Sequence, residues 1–372
     1  MDLSLNDTQQ LIQDSAKDFV HGSCERDVLL KFDRGPLTIM DKHWQQMSEM
    51  GWAGMAIPEE FGGSGNSLTD VAVLFEELGT GPVPGPLFTS AVLCARIIMA
   101  AGSAAQKQAL LPGIASGKRI FSLAYTEVQY GWSPERIKMK AKKSGSDYVL
   151  SGTKLFIEDA QYATDLLVVA GVEGGAGLSV FRVDAKAAGV SVRPLTGFMV
   201  GQAEVILKDV KVAAADAMLN TGDQLARGLL QAAPILCAYK VGGCKRAYEM
   251  SLAYAGERKQ FNTVIGRFPR VQDHLINAVN ALDSARWTTY EALWKLDNNM
   301  EDAAGSVHVA KAVASESYVR ATDMAHEVHA GIGVLREYGL TLHTKMSRSL
   351  YHTLGSPREH HRLLERALKL VA

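Results

Sequence analysis

The 372 residues are 47% apolar and carry 39 basic against 40 acidic side chains, a formal charge of −1. A chain of this length and apolarity buries a large core, divides into two or three domains and is not disordered. The charge balance excludes electrostatic capture of nucleic acid or of an anionic membrane, and no apolar run reaches the length of a membrane span. The opening Met1-Asp-Leu-Ser-Leu-Asn-Asp7 has neither the basic flank nor the apolar block of a signal peptide. Cys24, Cys94, Cys237 and Cys244 are scattered, so they read as reduced core residues of a cytoplasmic protein and not as a metal cluster.

Residues 1–118 read as all-helical. Asn6 to Gln9 has the form of a capping box, after which Leu11, Ile12, Ala16, Phe19 and Val20 recur at helical spacing. A second amphipathic segment carries Met40, Trp44, Met47 and Met50 and stops at Gly51, a C′ glycine. Ser67 and Asp70 cap the next helix, with Val71, Leu74, Phe75 and Leu78 on one face and Glu76 and Glu77 expected on a solvated edge. Residues 79–86 read as a Pro/Gly-rich crossing loop. Residues 89–101 are apolar nearly all round, which predicts a buried helix. Ser103 and Gln106 open a helix expected to end before Pro112-Gly113.

From Arg119 the apolar period changes to two. Seven short strands are expected over 120–125, 137–141, 148–151, 166–169, 178–183, 190–194 and 203–207, separated by Gly/Ser/Asp turns. So many strands in residues 119–213 predict a sandwich or small barrel. Gly174-Gly-Ala-Gly177 precedes no helix, so it reads as a hairpin turn and not a phosphate loop. Tyr125-Thr-Glu127 ends a strand and enters a loop containing Gly131 and Trp132. The hydroxyl and loop amides there are either a strand cap or a grip on a cofactor ring.

Residues 214–372 return to helix. Long segments over 225–254, 271–296, 303–329 and 340–350, and a last one over 358–370, lack a sustained heptad and predict an antiparallel bundle. Tyr254 to His274 joins the first two through a turn at 262–266. Arg258 and Phe261 lie three apart there and would share a face on a helix end; a guanidinium beside a ring suits a ligand with phosphates and an aromatic system. The glycines of His329-Ala-Gly-Ile-Gly333 permit close backbone approach. His352, His360 and His361 lack metal-ligand spacing and are expected on a surface helix.

Five local motifs, in order, carry a resemblance: Gly51-Trp52 with Ile57-Pro-Glu-Glu-Phe-Gly-Gly63, Tyr125-Thr-Glu127, Gly152-Thr-Lys-Leu-Phe156, Glu257-Arg-Lys-Gln-Phe261, and His329-Ala-Gly-Ile-Gly333. Over essentially the whole chain the sequence resembles the acyl-CoA dehydrogenase family. That resemblance implies an α+β fold: an N-terminal helical domain (1–118), a middle β-sandwich or barrel domain (119–213) and a C-terminal four-helix bundle (214–372). It implies FAD held between β domain and bundle and between subunits, an acyl-CoA substrate, an electron-transfer flavoprotein or similar acceptor, and a tetramer. It places Tyr125, Thr126, Gly131, Trp132 and Phe156 around the flavin and its phosphates, with Phe156 where a Trp is usual. It also places Arg258 and Phe261 on the FAD of a neighbouring subunit, Gly331 near the adenosine, and Ser356 near FAD.

The departures concern the chemistry. The family removes an α-proton with a placed Glu while the β-hydride goes to flavin N5. The commonest position for that Glu corresponds here to Leu354, and the alternative one to Ala232, followed by Ala233 in place of a frequent Arg. Neither can accept a proton. Glu158 stands where a Thr usually faces N5, and Pro269 where a Gln is usual. Tyr351, His352, Tyr239, Glu158 and Glu127 are the ionisable candidates near the aligned site. Three readings remain: a dehydrogenase of an unusual acyl-CoA (branched, cyclic or dicarboxylic) with a relocated base, the non-catalytic half of an α2β2 heterotetramer, or a flavin enzyme whose reaction needs no base. Residues 79–86 and the ending Gly355-Ser-Pro-Arg-Glu-His-His361 resemble the bacterial branch that includes such paired subunits.

Overall fold

The computed structural model describes residues 4–32, 38–197 and 201–370, without the side chains of residues 32 and 38–40; the Met40 side chain lies outside the described residues. In chain order the helices α1 (Asp7–Ser23), α2 (Arg26–Phe32), α3 (Thr38–Glu49) and α4 (Leu68–Thr80) come first. A π-helical segment, Leu87–Cys94, leads into α5 (Ala95–Ala101), and α6 (Ala104–Ala115) follows. The strands are β1 (Phe121–Ala124), β2 (Lys140–Ser144), β3 (Asp147–Glu158), β4 (Asp165–Val172), β5 (Leu178–Asp184), β6 (Val190–Leu195), β7 (Gln202–Val212) and β8 (Ala217–Met218). Then come α7 (Gly222–Glu257), the two-residue strands β9 (Lys259–Gln260) and β10 (Thr263–Val264), α8 (Pro269–Asp297), α9 (Ala303–His329), α10 (Leu340–Leu350) and α11 (Pro357–Ala367). Among the described residues no helix is long and apolar enough to cross a membrane.

Local chemistry sets many of these ends. Asn6/Gln9, Ser67/Asp70, Ser103/Gln106 and Ser356/Glu359 each form a reciprocal capping box that satisfies the first free amides of a helix. Gly51 follows α3 at φ +77, the left-handed conformation that glycine adopts without a Cβ penalty. Two helices run past the residues expected to stop them, and several strands, β3 (Asp147–Glu158) and β7 (Gln202–Val212) among them, are longer than expected. α4 runs on to Thr80, so Gly79 is helical. α6 continues through Pro112 to Ala115, because Leu111, Ile114 and Ala115 stay buried and the left-handed residue that ends it is Gly117, at φ +70.

The chain divides into two compact units. The first comprises Met1–Leu37, Ser67–Val83 and Ala233–Ala372. In it α4 lies directly against α7: a Cβ on Gly79 would sit 2.0 Å from the Tyr239 carbonyl oxygen, and one on Gly242 1.8 Å from that of Glu76. The start of α4 is held by the far end of α8, whose Asp297 carboxylate accepts from the Leu68 and Thr69 amides at 3.0 Å each. Glu76 and Glu77 are not solvated but buried, at 9% and 3% exposure. Glu76 accepts from Arg286 Nη2 at 2.9 Å and from the Tyr290 hydroxyl at 2.8 Å, and Glu77 from Lys245 Nζ at 3.0 Å. Their helix lies under the bundle, so the charges need partners there.

The second unit comprises Thr38–Asn66 and Pro84–Ala232. Its eight-stranded sheet runs β6-β7-β3-β2-β4-β5-β8, with β1 parallel to the first half of β4. The sheet folds over its own core: Tyr148 of β3 and Phe181 of β5, separated by two strands along the sheet, bring their rings to 5.4 Å. Gly174 and Gly177, both left-handed, close the β4–β5 hairpin. Phe156 sits at a register shift between Lys154 and Ile157 in the β3–β7 ladder, at φ +58. Such a bulge re-aims a side chain, and Phe156 is 42% exposed.

Glu76→Ala should destabilise the protein by roughly 2–3 kcal/mol in urea unfolding, somewhat below the ~3–5 kcal/mol of a fully buried broken pair, because Arg286 keeps 31% of its side chain exposed. A loss under about 0.5 kcal/mol, the range of ordinary surface substitutions, would contradict this account of α4.

Candidate functional site

In the second unit, Tyr125, Thr126, Gly131, Trp132 and Phe156 come together. β1 delivers the buried Tyr125 and Thr126 at its end. The Thr126 hydroxyl donates to the Leu155 carbonyl and the Leu155 amide donates back to the Thr126 carbonyl at 2.9 Å, which ties the segment to β3. The Tyr125 hydroxyl donates to the Trp132 carbonyl at 2.9 Å and the two rings stack at 5.0 Å, closing the loop over Gly131. Gly131 has φ +153, which a side chain would strain. Phe156 meets the edge of Tyr130 at 5.5 Å, so two exposed rings stand beside the strand end. Tyr130 was not anticipated from the sequence; its aromatic character two residues before Trp132 was the available signal.

Glu127 is drawn into structure. Its carboxylate accepts from Lys154 Nζ at 2.8 Å and from the Lys138 and Met139 amides at 2.8 and 3.1 Å. Burial raises its pKa, but these partners outweigh burial and hold it below the ordinary carboxylate value. Glu158, at the end of β3, is half-buried. The next residue, Asp159, is 4% exposed and left-handed, with Thr89 donating to its Oδ2 at 2.9 Å. Burial, helped by Glu158, pushes Asp159 up to about 7. Sequence reasoning missed Asp159, which has no partner within its own motif. Ala232 is fully buried in this unit.

In the first unit, Arg258 and Phe261 are not on a helix end. α7 stops at Glu257, and a tight hairpin follows in which Phe261 and Asn262 are left-handed, at φ +49 and +61. Two positive φ values between two-residue strands are the signature of a type I′ turn. Arg258 is exposed and Phe261 is 89% exposed. Beneath them Ala255, Ile265 and Val328 form a small core, and Tyr254 stacks on His329 at 4.7 Å, bringing the 330–333 turn to the same end of α7. A Cβ on Gly331 would meet nothing within 4 Å, so its backbone is open to approach.

The turn at 353–356 is the third locus. Leu354 is 7% exposed with φ +58, a conformation that costs a non-glycine residue roughly 1–2 kcal/mol. Two buried donors hold it: His360 Nε2 lies 2.8 Å from the Leu354 carbonyl and Lys311 Nζ 2.8 Å from that of Gly355. A carbonyl only accepts, so His360 carries its proton on Nε2, and its Nδ1 accepts from His308 Nδ1 at 3.1 Å. His360 is thus 5% exposed, contrary to the surface expectation; the Leu354 carbonyl draws it in. Ser315 bridges Lys311 at 3.1 Å and Lys240 at 2.8 Å, two fully buried lysines. The Ser356 hydroxyl caps α11 through Glu359. Tyr351 is half-buried with its ring 4.9 Å from that of exposed His352. Tyr239 is 7% exposed and donates to the Val83 carbonyl at 3.0 Å, and burial raises its pKa well above the ordinary phenol value.

In the second unit the exposed rings of Phe156 and Tyr130 and the glycine-dependent loop at 131 suit a ligand with a ring system; in the first, taken by itself, the exposed guanidinium of Arg258 and the open backbone at Gly331 suit a phosphate-bearing one. The comparisons agree. Family models of the acyl-CoA dehydrogenase N-terminal, middle and C-terminal domains match residues 6–118, 122–210 and 221–368. The probable acyl-CoA dehydrogenase YngJ of Bacillus subtilis (strain 168) is 31% identical over 353 residues, 91% of this chain and 92% of that protein. The fold matches the FAD complex of PigA at a TM-score of 0.91 and 25% identity, over 100% of both chains. It matches a variant of the Tcur3481-Tcur3483 steroid ACAD at 0.85 and 26%, over 97% of this chain and 98% of that one. The chain belongs to the acyl-CoA dehydrogenase family, a family of flavoprotein oxidoreductases, and its cofactor is FAD.

Burial pushes the pKa of His360 down to about 3 and that of His308 down to about 4. Both are neutral when folded, whereas unfolded imidazoles bind protons near pH 6.5. The unfolded state therefore binds more protons below that value, and stability present above about pH 6.5 is lost as pH falls toward 4. His360→Gln keeps an amide donor for Leu354 and removes one titration. It should flatten the decline in urea midpoint between about pH 6 and 4, by up to about 1.4 kcal/mol per pH unit. Identical pH slopes for variant and parent would contradict the assignment.

Proposed function

We propose that this chain is a subunit of an FAD-dependent acyl-CoA dehydrogenase that desaturates the α,β bond of an unusual acyl-CoA thioester, branched, cyclic or dicarboxylic. Bound FAD supplies the hydride acceptor. Thr126 and the Phe156/Tyr130 rings would face its ring system, while the loop at Gly131 would lie by its phosphates. Arg258 and Phe261, with Gly331, would reach the FAD of a neighbouring subunit, and Ser356 would lie near it through its turn.

The observation that carries the reading is a pair of aliphatic positions. Leu354 and Ala232, where the resemblance puts the proton acceptor, are both buried hydrocarbon. A placed base is worth roughly 10²–10⁴-fold, so the proton goes elsewhere. Tyr239 and Glu127 have their polar atoms committed, the first to Val83 and the second to Lys154 and two amides. Tyr239, Glu127, Glu158, Tyr351 and His352 are the ionisable candidates for that role within this chain.

Those commitments also favour a second reading, a mixed tetramer whose sister chain carries the base. The two-name steroid dehydrogenase among the structural matches supports it by analogy. In either case the assembly is a tetramer, homomeric or two-plus-two, and an electron-transfer flavoprotein is the expected acceptor.

The purified protein should be a yellow tetramer. Arg258→Ala should lose bound FAD, with affinity reduced roughly tenfold or more for one charged contact. A colourless monomer, or a variant that retains flavin and activity, would overturn this reading.

A further inference from the structure

Lys154 is a lysine with no exposed surface, in the middle of β3. Its ammonium donates to the Val169 carbonyl at 2.6 Å, to Glu127 Oε1 at 2.8 Å and to the Tyr125 carbonyl at 3.1 Å. Three N–H donors meet three acceptors, so the group is fully satisfied only in its charged form. Burial pulls its pKa down to about 8, against the opposing pull of Glu127, and the charge persists at neutral pH.

Two of the three acceptors flank Thr126. The ammonium therefore pins the backbone on one side of that residue and the Glu127 carboxylate on the other. Glu127 in turn holds the Lys138 and Met139 amides, at the far end of the loop that contains Gly131 and Trp132. Tyr125 holds the same loop through the Trp132 carbonyl. One buried charge thus braces both ends of the segment. A local cap would need only the Thr126–Leu155 pair of bonds; placing a charge at full desolvation cost is a strong constraint on where the segment lies.

We infer that Lys154 is a positioning residue for FAD, fixing segment 125–132 so that Thr126 and the Gly131 loop are preformed before the cofactor binds. This rests on the placement of FAD at that segment proposed above. The binding energy of a preformed loop is not spent on ordering it, so loss of the brace is read in cofactor affinity and not only in stability.

The test compares wild type, Lys154→Met and the double variant Lys154→Met/Glu127→Gln, the last removing the carboxylate that the single change would strand. Far-ultraviolet dichroism and sedimentation report fold and assembly; flavin absorbance and fluorescence report FAD affinity and the environment of the ring. The inference expects at least one variant to keep the wild-type fold and assembly, to bind FAD roughly tenfold or more weakly, and to show a shifted visible flavin band. Folded variants with wild-type affinity and spectrum overturn it alone. Misfolding of both variants also overturns it, because Lys154 then serves the fold and not the cofactor segment. Wild-type protein that takes up no FAD overturns this inference together with the placement it rests on.

Discussion

The shape of the turn at 353–356 is set by what holds its carbonyls: His360 on Leu354 and Lys311 on Gly355. Both donors are buried, and neither touches the chemistry of the side chain at 354. A left-handed non-glycine residue persists only where its surroundings over-determine it, and this one is so determined. Backbone geometry and side-chain chemistry are therefore separable here. The turn's form does not depend on the Leu354 side chain, so the family fold can be retained whatever side chain stands at 354.

Buried charge recurs as a device. Lys154 braces the strand-end segment of one unit, and Glu76 and Glu77 tie α4 to the bundle in the other. Each is costly to desolvate and each is compensated: Lys154 by three acceptors, Glu76 by two donors and Glu77 by Lys245. The difference lies in what is positioned. The glutamates hold a helix that already meets α7 through Gly79 and Gly242. Lys154 holds both flanks of Thr126 at the start of a loop, which is why its loss is expected to be felt by a ligand.

Much of the architecture was legible because its signals are local. The capping boxes at Asn6, Ser67 and Ser103 were readable from four residues each, and the change of apolar period at Arg119 marked where the strands begin. What was not legible depended on partners remote in sequence. Glu76 looks solvated on its own helix; Arg286, 210 residues on, makes it a core residue. His360 looks like a surface residue until the Leu354 carbonyl turns toward it. Pro112 is a helix breaker in isolation, but the buried face of α6 carries the helix one turn further. In the site, the aromatic and glycine positions of the second unit could be named from motifs, and the structure groups them. The shape of the Arg258–Phe261 segment could not, because Asn262 as a left-handed turn residue was a weaker cue than the helical periodicity preceding it. The buried ionisable residues Asp159 and Lys240, and half-buried His308, carried no motif at all.

The central claim is that hydrocarbon occupies the proton acceptor's usual place beside the cofactor. The most direct measurement is the rate of anaerobic flavin bleaching by a straight-chain acyl-CoA, in FAD-loaded wild type and in Leu354→Glu. The account predicts slow bleaching in wild type and an acceleration of roughly 10²–10⁴-fold in the variant. Fast bleaching by wild type that Leu354→Glu leaves unchanged would contradict it.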